Sequence, residues 1–118
     1  TLSYIPSDTN DEGILKATAS GSLPNGKPVI VNANGTVSVV GGGNLTAENY
    51  IGMSTGGTYA SGSTATVKII GNTSNEQTSL TAGQAYYVQT DGTIGTTAAS
   101  PSVFAGTAIS ATKLLVKT

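Results

Sequence analysis

The sequence predicts an all-β domain, a compact barrel-like or β-tulip-like fold carrying an extended N-terminal arm. Three observations lead there. Short segments alternate Val, Ile or Ala with Thr, Ser or Lys, the pattern of a strand with one buried face. Asn-Gly and Asp-Gly dipeptides stand between such segments, where tight hairpins need them. A fifteen-residue stretch also recurs 57 residues further on, so the chain reads as two similar β-units.

The recurrence aligns Ser22–Thr36 with Ser79–Thr93 without gaps, and six of the fifteen positions are identical. Composition bias could supply the shared Ser, Gly and Thr. It does not easily supply the shared Leu, the shared Val and a turn in the same register. Each copy reads as a hairpin. Val29–Val31 and Tyr86–Val88 are the leading strands, and 36–40 and 93–97 are the returns. Asn34-Gly35 and Asp91-Gly92 are the structural turns, expected as type I′ turns with positive φ at both central residues.

The match continues more loosely. Tyr50-Ile51-Gly52-Met53-Ser54 corresponds to Phe104-Ala105-Gly106-Thr107-Ala108, with an aromatic two residues before Gly in both. Ala65, Val67 and Ile69 then alternate with polar residues, and Lys113–Lys117 is the counterpart, with Leu114 and Val116 inward. Gly41-Gly42-Gly43, Gly56-Gly57 and Gly71–Asn75 have loop composition. Leu45–Asn49 hints at one helical turn capped by Asn44.

Residues 1–16 differ from the rest. Their centre, Ser7–Gly13, holds three of the six acids and no apolar side chain, between Leu2, Tyr4 and Ile5 on one side and Ile14 and Leu15 on the other. This reads as an arm with apolar anchors, followed by one β domain over 17–118. The repeats within it span about 22–70 and 79–117.

Composition excludes several function classes. Among 118 residues only five are basic and six acidic, and Arg, His, Cys and Trp do not occur. Without Cys or His there is no ordinary zinc site, disulfide framework or thiol nucleophile, so no metal or cofactor is expected. The lack of Arg and the slight acidic excess give no electrostatic footprint for nucleic acid. No run of about 18 apolar residues suits a membrane span, and Thr1–Pro6 lacks the pattern of a signal peptide. Leu, Ile, Val and Phe total 25 residues, about a fifth. So small an apolar share predicts a marginal free monomer, helped by a partner surface.

Candidate sites are few. Asp8–Gly13 opens like a calcium loop, but the twelfth position is Ala19, so the segment reads as a solvated acidic turn. Gly41–Gly43 lacks the Lys-Ser or Lys-Thr of a phosphate cradle. Catalysis needs a nucleophile with a base or a carboxylate pair in a cleft; here the usual bases are absent and Glu48, Glu76 and Asp91 all sit in turn-like sequence, so an enzyme is not expected. Tyr86 and Tyr87 are adjacent on a strand, so one should be core and the other surface or interface. Tyr59, Tyr86, Tyr87 and Phe104 are the large groups available for a subunit interface.

The spacing Gly-x-x-Val-x-Val-x-x-x-Gly-Thr-Val, from Gly26 to Val37, resembles the strand-turn-strand element of phage head decoration (cement) proteins. Val103–Ser110 is similar to the C-terminal end of the lambda member of that family, and Asn49–Met53 to one of its earlier β-segments. Leu45–Lys117 also resembles a module of marine and cyanobacterial phage virion proteins. The lambda protein stops just after the match to Ile109-Ser110, so Ala111–Thr118 reads as one more strand. The resemblance implies a homotrimer on the outer capsid surface of the virion, bound to the major capsid protein and bracing the shell against genome pressure. It implies neither a nucleic-acid nor a membrane partner. It also implies an arm that adds a strand to the capsid protein, with Leu2, Tyr4, Ile5, Ile14 and Leu15 as capsid contacts. Two readings stay beside it: a β-module of a tail fibre or other virion appendage that binds the host surface, and a bacterial surface adhesin domain.

Overall fold

A computed structural model describes residues 13–118. The first half forms β1 (Ile14–Thr18), β2 (Pro28–Val31), β3 (Val37–Val39), β4 (Tyr50–Thr55) and β5 (Thr64–Lys68). The second forms β6 (Thr73–Ser74), β7 (Ala85–Val88), β8 (Ile94–Gly95), β9 (Phe104–Ala108) and β10 (Leu114–Val116). They build two five-stranded antiparallel sheets, ordered β1-β5-β4-β2-β3 and β6-β10-β9-β7-β8. Adding five to each strand of the first order gives the second. The domain is all-β, and β10 occupies the segment expected to add a strand.

The duplication reaches further than the sequence shows. β1 pairs with β5, and β6 pairs with β10 in the same way. Ile14 and Leu15 are therefore sheet residues opposite Lys68 and Val67, not anchors within an extended arm. Leu15 and Ala17 join the core beside Val67 and Ala65, which draws the segment into the sheet. The counterpart of this strand is only Thr73-Ser74, two polar residues that bear no resemblance to Ile14-Leu15. Ser74 is nonetheless fully buried, and its hydroxyl accepts a hydrogen bond from the Gln77 amide at 3.0 Å.

The hairpin turns differ from expectation by one residue. The Asn32 N–H bonds the Thr36 carbonyl and the Gly35 N–H bonds the Asn32 carbonyl. Gln89, Gly92 and Thr93 repeat both bonds. Each loop thus has three residues and ends in a glycine at positive φ, +86° for Gly35 and +90° for Gly92. Asn34 and Asp91 are not at positive φ. Each instead uses a side-chain oxygen to accept from the N–H and hydroxyl of the Thr two residues on. A residue that can close a turn with its own side chain has no need of the left-handed conformation. Near Leu45, Thr46 rather than Asn44 closes the turn: its hydroxyl accepts from the N–H groups of Glu48 and Asn49. Asn44 braces the glycine run, accepting from Gly41 and donating to the Val39 carbonyl.

Both sheets also bulge at matching points, between Val29 and Ile30 and between Tyr86 and Tyr87. Gly52 and Gly106 lie opposite these bulges. A Cβ on either would collide with a backbone carbonyl of the neighbouring strand, Lys68 or Leu115 respectively. Only glycine permits such an approach.

The two cores explain the strand patterns. Val29, Val37, Ala65 and Val67 are buried on one face of the first sheet, under Ala19, Leu23 and Tyr59. Ile30, Tyr50 and Met53 are buried on its other face, against Tyr86, Val88, Ala105, Ala108, Leu114 and Val116 of the second sheet. With both faces covered, β2 is an unbroken apolar run. β7 is covered on one face only and alternates.

Candidate functional site

Because β7 alternates, its two tyrosines part. Tyr86 points into the core, and its hydroxyl accepts the Thr81 N–H at 2.8 Å. Tyr87 points outward and is paired in register with Phe104 of β9. Their ring centroids lie 6.1 Å apart at 67°, an edge-to-face contact of the kind aromatic quadrupoles favour. Phe104 remains 37% exposed. Ala85 of β7, Thr107 of β9 and Leu115 of the adjacent β10 are half-buried and complete an uncharged outer face.

Of the four aromatics expected at an interface, the structure therefore brings two together and leaves them open. Tyr86 is core. Tyr59 lies in the loop after β4, packs against the first sheet's core and donates its hydroxyl to the Thr55 carbonyl at 2.7 Å. Of the arm residues, Ile14 and Leu15 are in β1, while Leu2, Tyr4 and Ile5 lie outside the described residues.

The structure adds a second apolar opening. Leu15, Ile51, Ile69, Ile70 and Lys117 line a shallow groove of about 250 Å³, and Ile70 is 61% exposed. The sequence did carry a signal. Ile70 breaks the alternation of Ala65, Val67 and Ile69 and places an apolar residue where a polar one is due.

Between the halves lies a polar cleft of about 360 Å³, whose lining includes Lys27, Glu76, Gln77, Tyr86 and Thr93. Glu76 accepts from the Thr55 hydroxyl at 2.7 Å through one oxygen, and its other oxygen is buried without a partner. Among the described residues, no three of His, Cys, Asp and Glu gather as metal ligands would.

Among the described residues, two groups titrate away from their ordinary values. Burial pushes the Tyr50 phenol well above its usual range, and its hydroxyl donates to the Ala105 carbonyl at 3.1 Å. Hydrogen bonds from the Thr93 hydroxyl and N–H hold the Asp91 carboxyl below the usual carboxylate value. Both effects are structural: the phenol is locked in the inter-sheet core, and the carboxylate closes a turn.

Comparisons with protein-family models, with curated proteins and with solved structures return no match.

Proposed function

We propose that this chain is a non-enzymatic phage head decoration protein. In this reading it binds the outer surface of the major capsid shell as a homotrimer and braces the shell against the pressure of the packaged genome. The reading starts from the family resemblance of the Gly26–Val37 element and of Val103–Ser110. The structural observation that carries it is the open aromatic face of the second sheet. Tyr87, Phe104 and Leu115 offer apolar contact area without charge, as a surface made for another protein does.

Since that face is uncharged, attachment should depend little on ionic strength. The test is to compare virions with and without the protein on heating and in a chelator. Depleted virions should assemble but burst earlier, and added protein should restore them equally at low and high salt. Depleted virions that are equally robust, yet fail to attach to cells, would replace this reading with a tail-fibre module.

A further inference from the structure

We propose that a second copy of this chain docks head to tail on the first, with Phe104 of one copy seated on the Ile51, Ile69 and Ile70 groove of the next. The inference stands on the internal duplication and does not depend on the capsid reading.

Within one chain, the back of the first sheet lies on the front of the second, and Tyr50 marks the junction. Its hydroxyl reaches the Ala105 carbonyl, Val116 shares its core cluster, and the Lys117 ammonium sits over its ring, 5.6 Å from the centroid. Strand register fixes what these residues correspond to in the other unit. Gly52 and Gly106 hold the same place opposite the bulges, so Tyr50 matches Phe104 and Ala105 matches Ile51. The Ile69 N–H bonds the Gly13 carbonyl as the Val116 N–H bonds that of Asn72. Val116 therefore matches Ile69, and the next residue, Lys117, matches Ile70.

Both partners of a second such junction thus exist on every molecule: Phe104 stands exposed on the outer face of the second sheet, and the Ile51, Ile69 and Ile70 groove, bordered by Lys117, opens on the first with Ile70 exposed. They are conspicuous by exposure. The exposed large hydrophobic residues among those described are Ile70 at 61%, Ile109 at 52% and Phe104 at 37%, so two of the three are equivalents of the contacting pair Lys117 and Tyr50. Their chemistry has changed together. Where the buried junction sets a cation over a phenol, the open one would set Ile70 over a phenyl ring, and Ala105 is replaced by the larger Ile51. A phenyl group needs no acceptor, so an apolar seat can hold it by contact area alone, with Lys117 at the groove's border.

The contact joins two different surfaces, so it is heterologous: copies add in one direction and close into a ring only if the rotation permits. Tyr59 and its loop already cover the rest of the first sheet's front face. The intermolecular contact is therefore smaller than the internal one, and association should be reversible and concentration-dependent.

Sedimentation of the full chain over a range of concentrations tests this with two variants. Phe104→Asp spoils the knob and Ile70→Asp spoils the seat; both side chains are exposed, and melting curves verify that each variant folds. Each alone should be monomeric where the parent protein associates. An equimolar mixture should form one-to-one dimers and nothing larger, because one intact knob and one intact seat remain. Should an Asp variant misfold, Phe104→Ser and Ile70→Ser replace the pair. The proposal is overturned if the parent is monomeric at every concentration. It is equally overturned if Ile70→Asp associates normally, the result for a Phe104-to-Phe104 contact, or if the mixture stays monomeric.

Discussion

The first and second sheets have the same strand order, the same bulges and the same turns, yet they occupy different environments. The first is covered on both faces, by its own loops and by the second sheet. The second is covered on one face only. Tyr50 and Phe104 make the contrast concrete: both precede a bulge glycine by two residues, but Tyr50 is 2% exposed and Phe104 37%. Strand geometry is thus a property of the unit, while burial is a property of its place in the stack. An apolar residue at the open place is available for intermolecular contact, because the fold makes no use of it.

The comparison can be broken most forcefully at the glycines. Gly52→Ala and Gly106→Ala should each cost more than about 3 kcal/mol, since a backbone carbonyl rather than a pliant side chain blocks the added methyl. Chemical denaturation measures both, and the equivalence of the units fails if one is tolerated and the other is not.

Next come the aromatic equivalents. Tyr50→Ala should lose about 3–5 kcal/mol, as large-to-small changes in a core do. Phe104→Ala, in dilute protein, should lose under about 1 kcal/mol. Equal losses would mean that the outer face of the second sheet is covered after all.

The turn glycines sharpen the contrast. Gly35→Ala costs only the left-handed conformation, about 1–2 kcal/mol. Gly92→Ala adds a clash, because its methyl would meet the Val40 carbonyl at 2.7 Å. Melting temperatures should rank Gly92→Ala as the worse of the two.

The smallest effect separates Asn34 from Asp91, which accept the same two hydrogen bonds. Asp91 ionises more readily folded than unfolded. Its contribution is therefore present above the unfolded carboxyl value of about 3.9 and lost as pH falls through the lower folded value. Asp91→Asn should flatten the acid limb of the stability curve slightly. A limb unchanged in that variant would mean that the Thr93 bonds do not favour the ionised form.

Much of this plan was legible in the sequence. The hairpin repeat, the glycine-marked strands and the parting of Tyr86 from Tyr87 all follow from spacing, because period-two alternation and turn chemistry act locally. The missing parts depend on tertiary contact. β6 carries no strand pattern in the sequence because it is only two polar residues long, the half-buried Thr73 and the buried Ser74. Leu15 reads as part of the arm because its core partner, Val67, lies far along the chain. The turns shifted by one residue because Asn34-Gly35 suits more than one loop length, and the Asn34–Thr36 bonds select the longer. The groove under Ile70 is not legible in the sequence, because an exposed isoleucine looks like a core residue until its sheet face is known.

The stacking of back on front is tested most directly by nuclear Overhauser effects in the Ile70→Asp variant, where the chain should be monomeric. With one Phe and five Tyr, the aromatic signals are few enough to assign individually. The Tyr50 ring should show cross-peaks to the Lys117 methylenes and to Val116, while the Phe104 ring should show them to Tyr87 and to no residue of the first sheet. Cross-peaks from Phe104 to the first sheet, or none from Tyr50 to the second, would contradict the stacked arrangement.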